Sequence, residues 1–392
     1  MAWTPPKHAR LPLWQNPTGT SLIVLTTALL ALGTILVISA LSSVKEVEVS
    51  HWWAKVSYRH MFFAAASVIV LATLWRVDYH WFASPRRCLD LRLIGSIPLP
   101  ALALVMVALV LGGLVFVPGI GHKVGVYARW IRIPAGSLDI SLQPSELIKL
   151  TLMIFLAGWL THEKTNPRSG WTCLACGIVI GACVGLIITQ DFGTAAVVGI
   201  SAAVTMIMAG VPWYYLVSFI PPAAAAFYFL VILVPYRYVR LLSMLDPWGT
   251  FQSKEALMAI ISGGWYGKGL GWGMLKHGYL PEDSTDYIFS ILCEELGLVG
   301  AALLILLLCV WMFQARRASL KAADRFGMVL AGSMGFVVSL QSLLHIGVNL
   351  AVLPPKGIGL PFISAGGTSM IIMAAAVSLI ISVIFRQEFP DL

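Results

Sequence analysis

Ten stretches of this 392-residue chain are apolar over about 20 consecutive residues, the length that carries an α-helix across the hydrocarbon of a bilayer. They run roughly over 21–42, 58–75, 93–117, 146–161, 171–189, 192–210, 213–234, 286–313, 328–350 and 363–385. Backbone polar groups in lipid must be satisfied within each segment, so these runs predict an all-α integral membrane protein of ten transmembrane helices. The fourth run is the shortest, and short breaks at Gln190-Asp191 and Gly210-Val211-Pro212 divide the fifth from the sixth and the sixth from the seventh. Composition agrees: 58% of residues are hydrophobic and 11% charged, where soluble domains carry about 25% charged. Residues 1–392 read as a single membrane domain with two long outer connections, 118–143 and 235–285, the second between helices 7 and 8.

The first apolar stretch is too long for a signal-peptide core and lacks a small-residue cleavage site, so it is expected to be a retained helix. Its flank, with Lys7, His8 and Arg10, favours a cytoplasmic N-terminus, and an even number of spans then returns the C-terminus to the same side. Lys and Arg divide almost evenly between the two sides until the 235–285 loop is set aside; the remainder favours the inside. The net charge of +8 fits inner-face cations meeting anionic lipid, and nothing in its pattern points to nucleic acid. The pair Cys173/Cys176 has redox or metal spacing but no second pair or histidine beside it, and reads as helix packing.

Ionisable side chains in spanning segments are functional hypotheses by default. With the expected topology they gather at the outer ends of their helices: Arg59 at the second span, Glu146 and Lys149 at the fourth, Asp191 between the fifth and sixth, and Asp286 at the eighth. Lys356 lies just before Ser364-Ala365-Gly366-Gly367-Thr368. A polar basin open to the outside is the simplest account. Glu146 and Lys149 are three apart and share a helix face. They make either a structural ion pair or a lysine offered to a phosphate with its position set by the glutamate. Asp191 either binds a metal or a cation or caps the sixth helix. The stretch YLPEDSTDYIF, Tyr279 to Phe289, sets Glu282, Asp283 and Asp286 at the border of the eighth span. Asp286 is either a working carboxylate or an acid in a first helical turn, favoured there by the macrodipole. Ser290, Cys293, Glu294 and Gly297 follow it on one stripe that should face the bundle, leaving Glu295 on the opposite side in need of another partner. The run GGWYGKGLGWG, Gly263 to Gly273, lacks the order of a P-loop or dinucleotide fingerprint and means a sharply turning loop.

QPSELIKL (Gln143 to Leu150), QDFGTA (Gln190 to Ala195), DPW (Asp246 to Trp248), the glycine-rich run, YLPEDSTDYIF, EELGLVG and LPFISAGGTS (Leu360 to Ser369) occur in one order. Together they resemble the SEDS family, the shape, elongation, division and sporulation proteins that include RodA, FtsW and SpoVE, over nearly the whole chain. The resemblance implies a peptidoglycan glycosyltransferase. Such an enzyme polymerises lipid II at the outer face of the bacterial cytoplasmic membrane, in elongation or division, beside a class B penicillin-binding protein. It carries the family's essential aspartate onto Asp286, the glutamate and lysine of its QPSE motif onto Glu146 and Lys149, and a further aspartate onto Asp191. Ala128 stands where the family usually has arginine, Ala365 where it has a tyrosine hydroxyl, and His60 where it more often has glutamine. Arg132, four residues after Ala128 and on the same face if the segment is helical, is a candidate replacement.

Inverting an α-linked sugar diphosphate into a β-1,4 link calls for direct attack by the acceptor hydroxyl with a carboxylate taking its proton, and Asp286 is the candidate base. The departing diphosphate needs cations or a divalent metal such as Mg²⁺ or Mn²⁺. Lys149, Arg59, Arg129, Arg240 and Lys276 are the candidates, with Glu146, Asp191, Glu282 and Ser364 completing the expected substrate contacts. For Arg240 and Lys276 the alternative is a boundary cation reaching lipid headgroups. A lipid II flippase, or a scaffold without chemistry, would carry a similar polar basin.

Overall fold

In the computed structural model, which describes residues 16–41, 52–84, 87–124, 127–135, 138–273 and 285–386, each of the ten apolar runs is helical over most of its length. The order is α1 (Pro17–Leu41), α2 (Trp52–Thr73), α3 (Leu99–Leu114), α4 (Pro144–Leu160), α5 (Gly170–Ile188) and α6 (Phe192–Met208). The seventh run is broken into α7 (Trp213–Val217) and α8 (Ile220–Phe227), continued by a π-turn at Tyr228–Ile232. Pro221 and Pro222 open α8 and withhold the backbone donors that a continuous helix would need. Two further helices, α9 (Pro235–Leu242) and α10 (Phe251–Gly263), lie in the long connection, and α11 (Ile288–Leu320), α12 (Arg325–Asn349) and α13 (Thr368–Phe385) complete the bundle. Among the described residues, six stretches are long and apolar enough to cross a membrane by length and composition: Pro17–Ala40, Gly170–Ile188, Trp213–Ile232, Ile288–Leu320, Arg325–Asn349 and Thr368–Phe385. Among the shorter helices, α3 and α6 are apolar but only 16 and 17 residues long.

The fold is not purely helical. A hairpin of β1 (Cys88–Leu91) and β2 (Gly95–Pro98) joins α2 to α3, and a three-stranded antiparallel meander, β3 (Gly121–Val124), β4 (Tyr127–Ala135) and β5 (Leu138–Leu142), joins α3 to α4. Residues 128 and 132 both lie in the strand β4, so the helical premise for relating position 128 to Arg132 does not hold. The register of β3 on β4 slips between His122, paired to Trp130, and Lys123, paired to Ala128. Arg129 is therefore the extra residue of a bulge, a device that re-aims a side chain beside a site.

At the centre, α12 packs on α11, α6, α13 and α4. Lipid supplies no hydrophobic drive between helices, so close approach at small residues matters. Gly33 of α1 lies directly against the backbone of Ile363, with no room for a Cβ.

The expected unbroken eighth span is interrupted. Gly297, inside α11, adopts φ 66° and ψ −168°, a conformation reserved for glycine. The glycine-rich run enters this gap: Leu298 and Val299 donate backbone N–H bonds to the carbonyls of Gly264 and Trp265, at 2.9 and 3.1 Å. In return Lys268 and Gly269 donate theirs to Glu294 and Glu295, both at 2.9 Å. These bonds satisfy the groups freed by the break, as a low-dielectric surrounding requires. A Cβ at Gly297 would collide with the Gly267 nitrogen and the Trp265 carbonyl. Both glutamates are fully buried: Glu294 pairs with Lys268 at 2.7 Å, and Glu295 accepts from the Ser39 hydroxyl of α1 at 2.8 Å.

Candidate active site

Where β4, the residues before α11 and the loop before α13 meet, a cavity of about 330 Å³ opens. Asp286 lines it, together with Arg129, Glu146, Lys149, Arg240 and Ser364. Lys276 and Glu282 lie outside the described residues. Arg59 lines neither this cavity nor the smaller one beside it; its guanidinium donates to the Ser141 hydroxyl of β5 at 2.6 Å.

Asp286 is half-buried and precedes Ile288, the first residue of α11, with Tyr287 at the N-cap. It is thus not an acid within the first helical turn. Its backbone is fixed from two sides. The Ser364 hydroxyl donates to the Thr285 carbonyl at 2.7 Å while accepting the Leu360 N–H at 2.6 Å. The Asn349 side-chain amide donates to the Asp286 carbonyl at 3.0 Å, and its oxygen accepts from the Ser290 N–H and hydroxyl at 3.0 and 2.8 Å. Ser364, expected to touch substrate, has its hydroxyl taken up in both directions by backbone. A Cβ at Gly357 would stand 3.1 Å from an Asp286 carboxylate oxygen and 3.5 Å from an Arg129 nitrogen, so the loop before α13 runs between carboxylate and guanidinium.

The Glu146–Lys149 pair forms as its spacing predicts, at 2.8 Å and almost fully buried. The Lys149 ammonium also donates to the Gln341 side-chain oxygen at 2.6 Å, and Glu146 accepts from the Ser369 hydroxyl at 3.0 Å. Gln341 in turn donates to the Gly359 carbonyl at 2.9 Å. This network ties α4, α12 and α13 to the loop that borders Asp286. Asp191 is the N-cap of α6, accepting from the Thr194 N–H and hydroxyl at 3.2 and 3.1 Å, and it pairs with Arg129 at 3.5 Å. Arg129 also donates to the Gln190 carbonyl at 3.2 Å.

Gln341, His345 and Asn349 belong to the site although none lies in the motifs that carry the family resemblance. His345 Nδ1–H donates to the Ile358 carbonyl at 2.7 Å. The signal was present: three polar residues at steps of four make one stripe on an otherwise apolar helix.

Fold and site together define a polytopic helical membrane protein with a polar cavity that sets a carboxylate among several cations. The chain belongs to the cell cycle protein family of FtsW, RodA and SpoVE, whose model matches residues 20–388. It is 34% identical to the probable peptidoglycan glycosyltransferase FtsW of Halomonas elongata over 92% of this chain and 89% of that one. It is 33% identical to the stage V sporulation protein E of Bacillus subtilis, over 92% and 95%. The fold matches a chain of a solved peptidoglycan synthase complex that coordinates polymerization and crosslinking, with a TM-score of 0.71 and 23% identity over 94% of this chain and 98% of that one.

Proposed function

We propose that this protein is a peptidoglycan glycosyltransferase that polymerises lipid II, with all ten helical runs crossing the bacterial cytoplasmic membrane, both termini inside, and the Asp286 cavity facing outward. The observation that carries the reading is Asp286 itself: a half-buried carboxylate whose backbone is held by Ser364 and Asn349 at the edge of a cavity lined with cations. Relatives that share a third of the sequence bear the name of that activity.

In this proposal the acceptor's 4-hydroxyl attacks C1 of the donor sugar from the face opposite the diphosphate. The C1–oxygen bond to the diphosphate breaks, the hydroxyl proton passes to Asp286, and inversion gives the β-linked product. The charge that builds on the departing diphosphate is met by cations in a partly water-excluded cavity, where fixed charges act strongly. Lys149 acts mainly at one remove, because two of its ammonium's three donors are taken by Glu146 and Gln341. Among the described residues no group of three His, Cys, Asp or Glu side chains converges to hold a metal. In the proposal a Mg²⁺ or Mn²⁺ is a companion of the diphosphate, which commonly supplies much of such an ion's coordination. A class B penicillin-binding protein is the proposed partner that cross-links the product.

Purified protein in liposomes with lipid II, with and without such a partner, tests the reading. The expected product is polymeric glycan; lipid II carried across the bilayer without polymer would replace it with a flippase.

A further inference from the structure

The glycine-rich run from Gly263 to Gly273 presents its large rings outward: Trp265, Tyr266 and Trp272 are 70%, 86% and 76% exposed, with a half-exposed Leu270 among them. Its only charged side chain, Lys268, is bonded to Glu294 at 2.7 Å. The backbone beneath these rings is nonetheless fixed. Besides its bonds to both sides of the break in α11, the Gly271 N–H donates to the Ser39 hydroxyl of α1 at 3.0 Å. Gly267, at φ 78°, lies against the Glu295 carbonyl with no room for a Cβ.

Helix α1 measures the depth of this surface. Asn16, just before α1, donates to the Ile384 carbonyl at the end of α13, and Ser39 lies 23 residues further on, about 34 Å away at 1.5 Å per residue. The hydrocarbon of a bilayer is about 30 Å thick, and the headgroup layers carry it to about 40–45 Å. With Asn16 at one polar border, Ser39 therefore falls at the other. Glu295 accepts from Ser39 and Gly271 donates to it, so the whole run sits at that level. Trp and Tyr are suited to it, with their rings in the acyl boundary and their N–H and O–H groups among headgroups. A platform for sugars would also be aromatic, but it needs polar side chains to hold hydroxyls, and the run contains no carboxylate and no amide side chain.

We propose that Trp265, Tyr266 and Trp272 seat the glycine-rich run in the headgroup layer of the leaflet nearer Asp286. The bilayer itself then holds the break at Gly297 and, through the short helical stretch from Ile288 to Leu296, the place of Asp286. That leaflet is the outer one in the topology proposed above; the seating depends neither on that orientation nor on the glycosyltransferase reading.

The test uses the full chain labelled with 5-fluorotryptophan in phosphatidylcholine nanodiscs, the Trp265 and Trp272 fluorine resonances being assigned by their loss in Trp265→Phe and Trp272→Phe. Phosphatidylcholine with a nitroxide at the headgroup or high on the acyl chain should broaden both resonances. A nitroxide near the methyl end of the chain, or a gadolinium chelate in the water, should broaden them less. Resonances broadened most by the aqueous chelate would overturn the anchor, and so would rings reached by neither lipid nor chelate, which marks an enclosed protein contact. A second measurement is hydrogen exchange at Leu298 and Val299, whose N–H groups donate to the run. Replacing all three rings by serine should speed it by roughly tenfold in nanodiscs, whereas Trp265→Tyr with Trp272→Tyr should stay within about threefold of the unsubstituted protein. Exchange unchanged by the triple serine variant would show that the bilayer does not hold the break.

Discussion

Lys149 and Lys356 line the same cavity, yet the fold equips them oppositely. Lys149 is 1% exposed, and its ammonium is bonded to Glu146 and Gln341. Lys356 has a ring face for company and no hydrogen-bond acceptor among the described residues. A buried charge held by two partners has a structural part to play, because removing one partner strands the other; one that is left open is available to a ligand. Two lysines near an acid are therefore not expected to contribute equally as phosphate contacts. What decides is where each ammonium's hydrogen bonds already go.

The most forceful way to break this contrast is Lys149→Met. Glu146 would be left buried without its counter-charge, and breaking such a pair is expected to cost about 3–5 kcal/mol of stability. A large fall in the thermal midpoint of the detergent-solubilised protein would show it. Adding Glu146→Gln should recover much of that loss. A Lys149→Met protein as stable as the unsubstituted one, but unable to bind lipid II, would return Lys149 to the role of a direct phosphate contact.

A smaller effect is expected at Asn349, which is a positioning residue. Asn349→Ala removes the donor to the Asp286 carbonyl and the acceptor for Ser290. Misplacing a reacting group by about 1 Å can cost on the order of 10²-fold in rate. The expected result is a loss of that size in kcat with KM for lipid II nearly unchanged; a rise in KM alone would place Asn349 among substrate contacts instead.

The smallest effect falls on the β4 rim. Trp130 and Arg132, two apart on a strand, share a face, and Trp130 lines the cavity while Arg132 is exposed. An exposed cation contributes about 0–1 kcal/mol. Arg132→Ala should accordingly raise KM by no more than roughly fivefold. No change would leave Arg132 without a part in substrate binding and end the idea that it stands in for the arginine missing at Ala128.

The apolar runs made the helices legible, since length and hydropathy dictate them directly. The meander at Gly121–Leu142 was not legible: Arg129-Trp130-Ile131-Arg132-Ile133 has no period-2 alternation, and between two apolar helices it reads as a loop. The break at Gly297 was hidden, because a glycine in an apolar run is ordinary until the backbone of Gly264–Gly269 is seen entering it. Within the site, Glu146–Lys149 followed from spacing three, whereas the contrast between Lys149 and Lys356 depended on Gln341 and Phe192. Those neighbours are distant in sequence, and spacing says nothing of them.

Asp286→Asn in liposomes containing lipid II tests the central claim most directly. Asparagine keeps the shape and removes the base, so polymerisation should fall by about 10²–10⁴-fold, the usual contribution of general base catalysis, while lipid II binding is retained. A rate within a few-fold of the unsubstituted protein would show that Asp286 is not the base and that the cavity performs some other task.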